Sequence, residues 1–188
     1  WPLSLIKFTV QLNKSAPGPD GIRLMQQRGL QQVRVSVSLI FLIHGLIIAT
    51  WASRIPAFQA HLHLSPAVLG RSLMMAAIGS VLAMPAAGWL INKFGSLSIV
   101  IGSTLGFGLA LPLIAASNTV LTLSVALLFY GAMAGSMDVA MNTHAVMLEK
   151  RYRRHIMSSF HALFSLGGMA GSALGGLVAS RGVPAGIH

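Results

Sequence analysis

Five stretches of the chain, residues 35–53, 72–91, 97–116, 120–137 and 157–180, contain no formally charged side chain. Each runs for about 18–24 residues, and at about 1.5 Å per residue such a helix crosses a hydrocarbon core of about 30 Å. No soluble core needs five uncharged runs of that length. A backbone placed in lipid must satisfy its own hydrogen bonds, which leaves helices as the element for runs like these. The reading is an all-α, polytopic transmembrane helix bundle. Composition agrees, with 54% hydrophobic and 9% charged residues where a soluble domain carries about 25% charged residues. The first run is too long for a signal-peptide core, and no small-residue cleavage site follows it.

The formal charge of +10 invites a nucleic-acid reading, but its distribution argues for topology instead. Lys7, Lys14, Arg23, Arg28 and Arg34 precede the first span; Lys93 follows the second; Lys150, Arg151, Arg153 and Arg154 lie between the fourth and fifth. Only Arg54, Arg71 and Arg181 fall on the other side. Such a bias places the basic side, with the N-terminus, in the cytoplasm. No nucleic acid is expected as a partner. The chain has no cysteine, so no disulfide or thiol chemistry is expected.

Residues 1–33 form a basic tail whose stretch Ser15-Ala-Pro-Gly-Pro-Asp-Gly21 has turn and linker composition. The chain opens with Trp1, and Met25 begins a short basic leader just before the first span. The expectation is that Met25 is the natural start and residues 1–24 are not native. The transmembrane bundle is expected over residues 34–181, its fourth span extending through Asp138 to residue 142. Residues 182–188 read as a truncated loop, so the chain reads as a fragment. Ser65 and Pro66 form an N-cap and first helical position for the second span. Pro112 is expected to kink the third. Short loops make spans two, three and four antiparallel neighbours. Trp51 reads as an interfacial anchor or as a ring that stacks on a solute, and Arg54 and Arg71 read as headgroup-level charges. His61 and His63 in the outer loop have no acid or cysteine nearby, so they read as loop polarity and no metal is expected.

Small residues recur at helical spacing: Gly102 and Gly106 on span three, Gly131 and Gly135 on span four, and Gly167, Gly171 and Gly175 on span five. Such faces let backbones approach closely in lipid, for packing alone or also for sliding. Gly131, Gly135, Asp138 and Asn142 share one helical face. Asp138 is the one acid within the apolar segments, where a carboxylate costs roughly 2.5–3.5 kcal/mol on insertion scales. Two readings stay open for it. It faces a polar cavity and exchanges a proton, with Asn142 hydrogen-bonding a solute, or it pairs with an arginine of the basic loop. On span five, His161 and Ser165 share a face; on span one, His44 and Trp51 lie two turns apart on one face. No phosphate-binding loop, nucleophile with a base or cofactor motif is present, so neither an enzyme nor a cofactor is expected.

The turn Gly88-Trp-Leu-Ile-Asn-Lys-Phe-Gly95 resembles the loop signature of the major facilitator superfamily, Gly-x-Leu-x-Asp-Arg/Lys-x-Gly-Arg-Lys. Gly88, Leu90, Lys93 and Gly95 match. Asn92 stands at the acidic position, and Ser96 and Leu97 replace the basic pair, so the charge latch that the family builds there is not expected. Gly135-Ser-Met-Asp138-Val-Ala-Met-Asn142 is similar to the Gly-x-x-(Glu/Asp)-x-x-x-Asn of the fucose-permease-like branch, with the rhizopine-linked membrane proteins as near relatives. His161, before Phe164-Ser165-Leu166-Gly167, falls where that branch places a pore-facing polar residue. Gly45 and Ile55-Pro56 match on span one, but the carboxylate position there is Ala52. The resemblance covers about residues 35–181 and implies five of the six helices of one half of a twelve-span carrier. The implied activity is alternating access for a small polar solute such as a sugar or sugar derivative, with proton coupling through Asp138 as an option. Fucose itself is not the expected solute. The implied partners are the lipid bilayer, the solute, protons under that option, and a missing C-terminal half. The implied location is a bacterial inner membrane. The alternative is a non-transporting membrane protein in which Asp138 is structural. The chain alone is expected to transport nothing.

Overall fold

The structure, a computed structural model, describes residues 19–183, with side chains from residue 28 onward. The expectations for residues 1–18, including most of the segment expected to precede a natural start, and for residues 184–188 lie outside the described residues. The chain divides into an N-terminal unit, Trp1–Ser36, and a second unit, Val37–His188. The described residues form six helices: α1 (Pro19–Ala52), α2 (Ile55–His61), α3 (Pro66–Phe94), α4 (Ser96–Ala115), α5 (Val120–Tyr152) and α6 (Met157–Ser180). Five of them are long and apolar enough to span a bilayer. The linker reading of Pro19, Asp20 and Gly21 is corrected, because their backbone forms the first turn of α1. The helix also runs on through the leader, so the apolar run marks only its second half.

Local chemistry sets most helix ends. Ser65 Oγ accepts from the Val68 amide at 3.4 Å, and Pro66 opens α3, which satisfies one of the orphan donors of the first turn. Thr119 and Thr122 form a reciprocal capping box at the start of α5. Gly95, the single residue between α3 and α4, has φ +81°, a conformation that an L side chain rarely adopts. Pro112 falls in the last turn of α4, and Pro85 lies inside α3.

The start of α6 is built differently. Ile156 caps it without a side-chain hydrogen bond. Instead Glu149, near the end of α5, accepts from the amides of Ile156 at 2.9 Å and Met157 at 2.7 Å. α5 has 33 residues, about 50 Å of helix against a core of about 30 Å, and Glu149 lies beyond its apolar part. The two backbone donors hold the Glu149 carboxyl below the ordinary glutamate range. A carboxylate with a lowered value stabilises the fold above the unfolded value, and the contribution is lost as pH falls through the folded one. Protection of the Ile156 and Met157 amides against hydrogen exchange is therefore expected to collapse below the ordinary glutamate range. In Glu149→Gln, protection is expected to be reduced at neutral pH and insensitive to acid.

Packing in the second unit is organised around two parallel helix pairs. α3 packs mainly on α5 and only lightly on its chain neighbour α4, so the main partner of span two is span four and not the antiparallel neighbour that follows it. α4 does pack on α5. Between α3 and α5, a Cβ on Gly79 would meet the Leu128 carbonyl. One on Gly131 would meet Ala76, and one on Gly135 would meet Ser80. Between α1 and α6, Gly45 lies against Phe164, Gly167 against Leu42, Gly171 against Leu46 and Gly175 against Ser53. Along each seam the positions on the two helices rise together, as in parallel helices. Single hydroxyl bonds cross the same seams, Ser124 Oγ to Ser72 Oγ at 3.3 Å and Thr50 Oγ1 to the Gly171 carbonyl at 3.3 Å. The glycines bring backbones together where lipid supplies no hydrophobic drive between helices.

α4 shows how inner and outer faces separate. Ser96, Val100, Ser103, Phe107, Ala110 and Ile114 are buried. Leu97, Ile101, Leu105, Leu109 and Leu113, every fourth residue, are exposed, the stripe expected of a helix that meets acyl chains.

Candidate functional site

Aromatic rings join the two parallel pairs. Phe107 of α4 packs edge-on against His44 of α1 at 5.4 Å between centroids and against Tyr130 of α5 at 5.1 Å. Tyr130 in turn lies against Trp51 at 5.0 Å, and His44 against Phe164 of α6 at 5.8 Å. His44 is only 3% exposed. The expected His44–Trp51 face thus exists, and both rings point into one aromatic file rather than towards lipid. Trp51 Nε1 and the Tyr130 hydroxyl are buried without a hydrogen-bond partner among the described residues. Leaving such a group unsatisfied costs about 1–3 kcal/mol.

Asp138 is half-buried on α5. Among the described residues it forms no ion pair with an arginine. The imidazole of His161 on α6 is near enough to act on it through charge. His161 itself is exposed and meets the edge of the Phe41 ring at 5.5 Å; Phe41 stacks on Phe160 at 5.5 Å, and both are fully buried. Asn142 commits its Nδ2 to the Asp138 backbone carbonyl at 2.9 Å. Ser165, exposed, donates back to the His161 carbonyl at 3.1 Å. Both polar groups therefore spend a donor on their own helix, a common habit of small polar side chains in apolar helices.

The glycine stripe below Asp138 has a different place from the one its sequence suggests. Gly131 and Gly135 fit against the backbone of α3, so they line a helix crossing and not a polar channel. Gly106 faces the Met133 side chain, while Gly102 has open space around it. In the turn motif, Gly88 and Leu90 lie in the last turns of α3, Asn92 is exposed, and Lys93 Nζ sits 5.3 Å from the centroids of both Trp89 and Phe94. His144 Nδ1 and Ser96 Oγ, 2.7 Å apart, fasten α4 to α5 beside that turn.

Sequence reasoning missed Tyr130, Phe107, Phe41 and Phe160, and placed Arg54 among the headgroups. Arg54 is in fact 5% exposed, and its Nη2 donates to the Val183 carbonyl. Arg71 is exposed. Tyr130 could have been found, because it directly precedes Gly131 and so lies about a quarter-turn off the glycine face.

The Major Facilitator Superfamily model matches residues 37–186. An uncharacterised MFS-type transporter of Yersinia pestis is 44% identical over 146 residues, 78% of this chain and 38% of the relative. An uncharacterised transporter of Sinorhizobium fredii is 34% identical over 79% of this chain and 39% of its own length. Membrane protein MosC of Rhizobium meliloti is 36% identical over 76% and 35%. The chain thus spans somewhat over a third of these curated relatives. No solved structure matches it. A multi-pass bundle in the lipid bilayer, with a family match over most of its length, leads to one conclusion: the chain belongs to the major facilitator superfamily.

Proposed function

We propose that the chain is the N-terminal part of a secondary active carrier that moves a small polar solute, a sugar or sugar derivative, by alternating access across a bacterial inner membrane. The N-terminus is cytoplasmic, in keeping with the bias of basic residues. The solute sits between this part and a second half near the bilayer midplane. The observation that carries the reading is Asp138: a half-buried carboxylate in a membrane helix, without an arginine partner among the described residues. Intramembrane acids of this kind are costly and are kept where a proton or a solute uses them. Asn142 lies one turn on from Asp138, His161 and Ser165 stand on α6, and His44 and Trp51 line the neighbouring aromatic file.

The test is proton-driven uptake by the complete carrier in proteoliposomes. In Asp138→Asn, uptake driven by an acid exterior is expected to fall at least about tenfold, because the amide takes up no proton, while solute exchange without a gradient persists. Unchanged gradient-driven uptake in that variant at every pH would sink the coupling role.

A further inference from the structure

Arg54 is only 5% exposed, yet no carboxylate among the described residues pairs with it. Glu149 is occupied by the amides of Ile156 and Met157, and among the described residues Asp138 forms no ion pair with Arg54. The guanidinium has five N–H donors. One goes to the Val183 carbonyl, and Nε has no partner among the described residues.

The neighbourhood has the same imbalance. The Arg54 amide donates to the Trp51 carbonyl at 2.8 Å, so the turn that leaves α1 keeps the two residues adjacent. Trp51 stacks on Tyr130. Trp51 Nε1 and the Tyr130 hydroxyl are both buried and unpartnered. An indole N–H only donates, and so does a guanidinium. Three unsatisfied groups that can all donate, one of them cationic, leave a corner short of acceptors and short of negative charge. A neutral polyol would satisfy the donors but not the charge; a metal cation would satisfy neither.

We propose that Arg54, with Trp51 and Tyr130, receives the oxyanion, a carboxylate or a phosphate, of a small acidic solute at the end of the bundle opposite the basic loops. Calling that solute a substrate rests on the transport reading above; the binding itself does not. A planar guanidinium matches an oxyanion through two parallel hydrogen bonds, and the indole and phenol complete the shell.

The experiment reads binding and not uptake. In a Trp1→Phe, Trp89→Phe background, Trp51 is the one remaining tryptophan. This chain is placed in nanodiscs of phosphatidylcholine, and its fluorescence is titrated with gluconate, with inorganic phosphate and with uncharged sorbitol at constant ionic strength. The expected result is a saturable response to gluconate or phosphate and none to sorbitol. Arg54→Gln is expected to weaken it at least roughly 30-fold, the loss typical of removing one partner of a buried charge pair. Arg54→Lys keeps the cation without the fork and is expected to fall between; it also serves if the glutamine variant does not fold, as judged by circular dichroism. An equal response to sorbitol, no response to either anion, or an unchanged response in both variants overturns the proposal. So does a response seen only when phosphatidylglycerol is added, which would make Arg54 a headgroup anchor. Anion binding by a carrier that moves no solute would overturn the transport reading alone.

Discussion

Gly131→Ala is expected to destabilise the bundle by about 3 kcal/mol, while Gly102→Ala is expected to be neutral or to stabilise it by up to about 1 kcal/mol. The same chemical change goes in opposite directions because the two glycines meet different surroundings. A Cβ on Gly131 would lie against the Ala76 carbonyl oxygen, with the carbonyl carbon at 2.5 Å and the Cα at 2.7 Å. Non-bonded carbons rest at about 3.5–4.0 Å. The obstacle is backbone, which cannot rotate away, so α3 and α5 must separate along the seam that also holds Gly79 and Gly135. Separation also draws apart Ser124 and Ser72 and loosens Tyr130 from Trp51. At Gly102 nothing lies within 4 Å, and alanine gains only its helix propensity. Unfolding by sodium dodecyl sulfate, followed by tryptophan fluorescence, would measure both. Equal effects at the two positions would show that close backbone approach does not hold this fold together.

The contrast also explains how far the sequence could be read. Span positions were legible because the physics is one-dimensional: an uncharged run of sufficient length in lipid has to be helix. The Ser65 and Pro66 signal was legible for the same local reason. Gly131 and Gly135, or Gly167, Gly171 and Gly175, announced a close-packed face through repetition, but not the helix they meet. Gly45 and Gly79 do equivalent work from the partner helices and stand alone in the sequence, so spacing gave no hint of them. The α3–α5 pairing skips a helix, and chain adjacency therefore did not reveal the main partner of α3. Arg54 was the largest misplacement. Composition puts an arginine at the end of an apolar run among headgroups, whereas its burial depends on Val183, far along the chain. Asp138 was found at once, because one acid among apolar residues needs no partner to be noticed. Its relation to His161 needed the fold.

On the α1–α6 seam, Gly45→Ala and Gly167→Ala are each expected to cost about 2–3 kcal/mol, and the double variant clearly less than their sum. The two glycines are notches in facing helices. A Cβ on Gly45 would sit 3.0 Å from the Phe164 carbonyl carbon and 3.1 Å from the Gly168 nitrogen; one on Gly167 would sit 2.9 Å from the Leu42 carbonyl carbon and 3.1 Å from the Leu46 nitrogen. Either obstruction is relieved by the same movement, a separation of α1 from α6. Once the first alanine has forced it, the second finds room already made. A coupling of about 1–2 kcal/mol in a double-mutant cycle is the expected signature. Strict additivity would mean that each site yields locally and the seam does not move as a unit. The site should register the same movement, because His44 rests on Phe164 and Phe41 meets both Phe160 and His161 across this seam. Separation withdraws His161 from its ring contact and from Asp138. On the transport reading proposed above, uptake by the complete carrier carrying Gly167→Ala is therefore expected to fall along with stability, and adding Gly45→Ala is expected to lower it little further.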